Sequence, residues 1–138
     1  MERGRILAID YGAKNIGLAC TDETGIIVRP LSSLANRSRR ELMEELAALI
    51  GRYHVASLVV GMPWNMDGTS GEAARKVAEF MRLLEETFGL PLKSQDERLS
   101  TLEANELWKE MRPRQKRRYR TVDSLAAALI LKRHLEEG

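Results

Sequence analysis

The sequence predicts an α/β domain over residues 1–138: a five-stranded mixed sheet covered by helices. Three observations predict it. Apolar runs of strand length recur at residues 5–10, 16–21, 26–31 and 55–61, with a weaker run at 90–95. The first three are separated by breaker-rich connections too short for a helix, so they form an antiparallel meander. The later runs are separated by helical patterns, so the fourth and fifth strands run parallel to the first through right-handed crossovers.

Each element has a local reason. Residues 5–10 (RILAID) are almost unbroken apolar sequence, as in a strand covered on both faces. Gly12 marks the turn at 11–15, and residues 22–25 are a second turn. In the first helix Ser38 and Glu41 have capping-box spacing, and Leu42, Leu46 and Leu49/Ile50 make one apolar stripe. In the second, Thr69 and Glu72 repeat the box, Val77, Phe80, Met81, Leu84 and Phe88 line one face, and Gly89 suits the C-terminal cap. Lys93 and Gln95 place the fifth strand near an edge. Ser100 and Glu103 make a third box ahead of Leu102, Leu107, Trp108 and Met111, and residues 122–137 form a last helix rich in Ala and Leu. The order βββαβαβαα is that of the RNase H-like fold.

The chain has one cysteine, Cys20, within an apolar run, so no intrachain disulfide forms and the thiol is expected to be buried. The first apolar run stops at Asp10, too short for a signal peptide or a membrane span, which leaves the cytoplasm as the expected compartment. The formal net charge is only +2. Residues 112–120 (RPRQKRRYR) hold six of the 22 Lys and Arg and no acid, so this one segment supplies the whole positive excess. Charge this dense predicts a mobile, extended loop that grips a phosphate backbone, with Tyr119 stacking on an unpaired base.

In open α/β sheets, ligands sit beyond the carboxyl ends of the parallel strands. Asp10 closes the first strand, residues 61–69 (GMPWNMDGT) follow the fourth, Asp96-Glu97-Arg98 follow the fifth, and Asp123 opens the last helix at the same edge. Distant carboxylates therefore converge. Two of them ~4 Å apart repel by about 4 kcal/mol at an effective dielectric near 20. Either one takes a proton or a divalent cation binds, and an all-oxygen set suits Mg²⁺ or Mn²⁺. The candidate catalytic and metal-binding residues are Asp10, Glu97 and Asp123, with Asp96 the runner-up to Glu97. Each has a plainer reading: Asp10 as a turn residue, Glu97 as a partner of Arg98, and Asp123 as a dipole-favoured first-turn acid. His54 and His134 do not form a catalytic pair, and no Cys/His spacing points to zinc.

With those residues in view, the chain resembles a known family. Residues 10–17 (DYGAKNIG) resemble the opening motif of the YqgF/RuvX-type family, 61–69 its second motif, 96–101 (DERLST) its third and 122–124 (VDS) its fourth. The matches run in order over nearly the whole chain. The resemblance implies an RNase H-like fold related to Holliday-junction resolvases, and a hydrolase of phosphodiester bonds that matures the 5′ end of precursor 16S ribosomal RNA. Some members of the family have been regarded as junction resolvases instead. Its presumed acids map onto Asp10, Glu97 and Asp123. Ala13 stands where the family often has a hydroxyl residue. Resolvases of this fold often carry a fourth acid near the start of the last helix, and residues 124–128 (SLAAA) supply none.

Three functions follow as expectations: a metal-dependent nuclease acting on precursor ribosomal RNA, a resolvase of four-way DNA junctions, and an RNA-binding ribosome-assembly factor that cuts poorly. Nucleic acid is the expected partner, through Lys14, Asn65, Thr69, Arg98, Arg112, Arg114, Lys116, Arg117, Arg118, Tyr119 and Arg120. No membrane is expected, and the chain is expected to be a monomer or weak homodimer.

Overall fold

The structure, a computed structural model, describes residues 4–63, 65, 69, 71–97 and 100–137. The chain runs β1 (Arg5–Tyr11), β2 (Asn15–Thr21), β3 (Val28–Ala35), α1 (Arg39–Tyr53), β4 (Val55–Met62), α2 (Glu72–Phe88), β5 (Leu92–Asp96), α3 (Ser100–Glu110), α4 (Pro113–Tyr119) and α5 (Val122–Glu137). The five strands form one sheet in the order β3-β2-β1-β4-β5. β2 is antiparallel to β1 and to β3, whereas β4 is parallel to β1 and to β5. This is the arrangement that the connection lengths predict.

Alternation along the strands sends side chains to two unlike faces. One face carries Leu7, Ile9, Leu18, Leu58 and Val60, packed with Leu42, Leu46, Val77, Phe80 and Leu84 of α1 and α2. The other carries Ile6, Ala8, Ala19 and Val59 against Ala127, Ala128, Ile130 and Leu131 of α5. A smaller cluster of Ala104, Leu125 and Ala126, with Trp108, Met111 and Tyr119 around it, joins α3 and α4 to α5. Cys20 is buried, as expected.

Several local expectations change. β3 begins at Val28, because the Asp22 carboxylate accepts the Ile26 and Ile27 N–H groups, both at 3.1 Å, and diverts them from the ladder. Ser38 caps α1 by accepting from the Glu41 N–H at 3.1 Å. Thr69 does not cap α2; Gly71 does, and Thr69 bonds Asn65 instead. Ser100 is no cap either, for it lies inside α3 and is wholly buried, while Glu103 pairs with Arg133 of α5 at 2.6 Å.

The largest correction concerns residues 112–120, expected to be a mobile loop. They contain the helix α4. Pro113 presets the first-turn backbone, and the Arg112 N–H donates to Gln115 Oε1 at 3.2 Å. The helix turns Tyr119 inward to the apolar clusters, while Lys116 lies over the Trp108 ring, 5.4 Å from its centroid. No helix among the described residues is long and apolar enough to cross a membrane.

Candidate active site

Two glycines bring the acids together. Asp10 pairs in register with Gly17 of β2, at the end of the strand face that packs on α5. The first turn of α5 occupies the space a side chain on Gly17 would need: a Cβ there would collide with the Asp123 carbonyl oxygen and lie 3.1 Å from Asp123 Cβ. Gly61 of β4 does the same for the third acid. A Cβ on Gly61 would lie 2.6 Å from Glu97 Oε2 and 2.6 Å from Ile130 Cδ1. Glu97 is held just past β5 by its own N–H, which donates to the Met62 carbonyl at 3.1 Å, and by its carbonyl, which accepts from Ser100 N–H at 3.0 Å.

The start of α5 is also pinned sideways to β3. Ser124 Oγ donates to the Leu31 carbonyl at 2.5 Å, and Ser33 Oγ lies 2.6 Å from Thr121 Oγ1 and 3.3 Å from Ser124 Oγ. Thr121 Oγ1 in turn accepts the Ser124 N–H at 3.0 Å, which caps the helix. Just before it, Arg120 has φ 71° and ψ −60°, with the Thr121 N–H donating to the Tyr119 carbonyl at 2.8 Å. That is the strained, rarely used γ-turn, imposed on a residue other than glycine. Arg120 Nη1 donates to Ser32 Oγ at 2.8 Å, which ties the turn to β3.

Glu97 is 5% exposed and shares a side-chain hydrogen bond with Asp10. Burial, then the negative charge of Asp10, pushes the Glu97 carboxyl up to about 9, with Asp96 adding to the rise. Glu97 is therefore the protonated member at neutral pH and donates to Asp10. Burial also raises Asp10, partly offset by that hydrogen bond and reinforced by the charge of Asp123. Burial raises Asp123 as well. The second Glu97 oxygen, Oε2, is buried with no hydrogen-bond partner among the described residues, the costly condition that a cation or a bound polar group relieves.

Two carboxylates thus meet directly and the third faces them electrostatically. Among the described residues no three His, Cys, Asp or Glu side chains close into a ready cage for an ion. The donor set still fits a hard divalent cation, being all carboxylate oxygen with one buried oxygen unpartnered. Asp96 pairs with Met62, whose side chain belongs to the α1 and α2 core, so Glu97 and not Asp96 is the acid on the α5 side.

The other predicted residues are spread around this edge. Lys14 is exposed in the β1–β2 turn. Asn65 and Thr69 bond each other, backbone at 2.9 Å and side chains at 3.0 Å, closing the loop after β4. Arg98, with Trp64 and residues 66–68 of the second motif, lies outside the described residues. Arg112, Arg114, Arg117 and Arg118 are exposed on and beside α4. Tyr119 serves as a packing ring and Arg120 as a tether. Sequence reading misses Gly17 and Gly61 as spacers, and the hydroxyls of Ser33, Thr121 and Ser124. The only advance signal for them is the run of small residues at 126–128.

The family model described as "RuvX: Holliday junction resolvase" matches residues 4–137. A protein of Lachnospira eligens named "Putative pre-16S rRNA nuclease" is 38% identical over 135 residues, covering 96% of each chain. A protein of the same name from Syntrophus aciditrophicus is 39% identical over 132 residues, covering 96% of this chain and 88% of its own. Among solved structures, fowlpox virus resolvase with Holliday junction DNA superposes with a TM-score of 0.61 at 12% identity, covering 96% and 97% of the two chains. The Thermus thermophilus RuvC complex with a Holliday junction gives 0.57 at 15% identity, covering 99% and 97%. The fold is theirs, and by the match over its length this chain belongs to the RuvX family.

Proposed function

We propose that the chain is a metal-dependent nuclease that hydrolyses a phosphodiester bond in precursor 16S ribosomal RNA, at its 5′ side. The observation that carries this is the meeting of Asp10 and Glu97 beside Asp123 at the carboxyl edge of the sheet, with Glu97 Oε2 unsatisfied. The names of the relatives support the substrate. Asp10, Glu97 and Asp123 would hold the cation, and Glu97 gives up its proton as they do so. Mg²⁺ or Mn²⁺, when bound, supplies the positive charge that lets three carboxylates ionise together and lowers the pKa of an attacking water. Arg112, Arg114, Arg117 and Arg118 on the neighbouring α4 then position the phosphate backbone. A second reading, resolution of four-way DNA junctions, draws on the family's description.

One experiment tests both. Precursor 16S RNA and a four-way DNA junction are incubated with the protein and Mg²⁺ or Mn²⁺. Cleavage of the RNA at one position, lost in Asp10→Asn with the fold retained, is the expected result. Cleavage of the junction alone establishes the second reading, and equal cleavage by Asp10→Asn on either substrate removes the site from the chemistry.

A further inference from the structure

A cleft of about 340 Å³ opens on the α2 side of the same sheet edge, and Glu97 forms part of its wall. Its apolar walls include Tyr11, Pro63 and Val77. The Tyr11 ring is braced by Phe80, with centroids 4.3 Å apart. The polar part is an ion pair on the first turns of α2, Lys76 Nζ to Glu72 Oε1 at 3.8 Å, in which both side chains are largely exposed to solvent. Neither residue serves the acidic site, and nothing in the fold requires the pair, since an exposed i,i+4 bridge contributes only about 0.3–0.5 kcal/mol.

The volume falls at the low end of small-ligand sites, about 300–1,000 Å³, and suits one nucleotide better than a larger group. An aromatic wall beside aliphatic ones is what the face of an unstacked base requires. The adjacent ammonium and carboxylate then select among bases. On its pairing edge guanine presents O6 next to N1–H and the N2 amine, one acceptor beside two donors. Lys76 can donate to O6 while Glu72 accepts from N1–H and N2–H. Adenine held the same way turns an amine toward Lys76 and a lone pair toward Glu72, which opposes both. A duplex hides this edge, so the base must be unpaired.

We infer that this cleft receives an unpaired guanine from the nucleotide beside the bond that is cut, with Glu72 and Lys76 as its specificity-determining residues. The adjacency to the cut rests on the nuclease reading; the affinity for guanine does not. The test therefore has two arms. In the first, guanosine, inosine and adenosine 5′-monophosphates are titrated separately into the full chain and followed by backbone amide shifts. The guanosine nucleotide is expected to shift Tyr11, Ala13 and Val77, and to bind about tenfold tighter than the inosine nucleotide, which lacks the N2 amine. Glu72→Gln should bring the guanosine and inosine nucleotides within about twofold, while the adenosine nucleotide, opposed by Lys76, stays weaker. Equal affinities in the unaltered protein, or shifts confined to α4, overturn the inference. In the second arm, cleavage of single-stranded RNAs differing only in the base beside the cut should be fastest for guanine, and its lead over hypoxanthine should vanish in Glu72→Gln. If nothing is cut while the nucleotide ranking stands, the nuclease reading fails and the guanine site remains. If RNA is cut without base preference and the nucleotides bind alike, the cleft inference fails and the nuclease reading remains.

Discussion

The two faces of the sheet differ in how many small residues they carry. Against α1 and α2 stand Leu7, Ile9, Leu18, Leu58 and Val60, side chains that hold the helices off the strands and bury apolar area. Against α5 stand Ala8, Gly17, Ala19 and Gly61 among the larger Ile6 and Val59, met by Ala127 and Ala128 beside Ile130 and Leu131. Small residues on both partners let the helix backbone approach the strands, which sets Asp123 against Gly17 and leaves room for Glu97 over Gly61. The first face contributes stability through area, at roughly 25 cal/mol per Å². The second gives up some of that area to bring three acids together, two of which share a proton. Stability and chemistry are thus divided between opposite sides of the same strands.

That division can be broken from either side. Leu58→Ala, on the large face, should cost about 2–5 kcal/mol in urea unfolding while Mn²⁺ affinity of the folded protein stays at its original value. Loss of Mn²⁺ binding in that variant would show that the faces are not independent. Gly61→Ala, on the small face, should cost less, about 1–3 kcal/mol, because the Glu97 carboxylate and the Ile130 methyl can each give way. Its mark is displacement of Glu97, read as Mn²⁺ affinity reduced by about 10–100-fold in calorimetry.

A pH titration sharpens the same point. In the metal-free protein the folded state keeps a proton on Glu97 up to about pH 9, whereas the unfolded chain releases it near 4.5. Folded protein binds more protons across that window, so its stability is full below about pH 4.5 and declines as pH rises toward 9. The raised Asp10 and Asp123 carboxyls add to the decline at its acidic end. Glu97→Gln should flatten the fall in Tm between pH 5 and 9, roughly the span of the shift, and saturating Mg²⁺ should offset it at the alkaline end. A Tm that rises through this window would contradict the shared proton. The smallest effect concerns α4, whose cations stand outside both faces. Changing Arg117 and Arg118 together to Ala should flatten the log–log salt dependence of nucleic-acid binding by nearly 2, about 0.9 for each phosphate left without its arginine. An unaltered slope would make α4 a charged surface and no more.

Much of this is legible in the sequence because it depends on short-range pattern. Apolar runs mark the five strands, connection lengths set their directions, and an acid at the end of a buried strand singles out Asp10. The third strand starts later than hydropathy implies because the Asp22 side chain competes with the ladder, and side-chain capture of backbone leaves little trace in hydropathy. Residues 112–120 read as extended because their charge dominates the composition; the decisive features are Pro113 at the first helical position and the inward face of Tyr119. Gly17 and Gly61 are not legible as spacers, since what each glycine makes room for, Asp123 or Glu97, arrives from a distant part of the chain.

The glycine at position 61 has a genetic consequence. Any single-base change in its codon that replaces it with another amino acid adds at least a Cβ, so no conservative allele exists there. Two groups crowd that Cβ, and one of them is the terminal methyl of Ile130, at 2.6 Å. Valine lacks that methyl. In a selection for restored activity from Gly61→Ala, revertants outside codon 61 should therefore concentrate at codon 130, as Ile130→Val. Suppressors scattered over the surface, with none at that codon, would show that the lost activity does not come from crowding at this point.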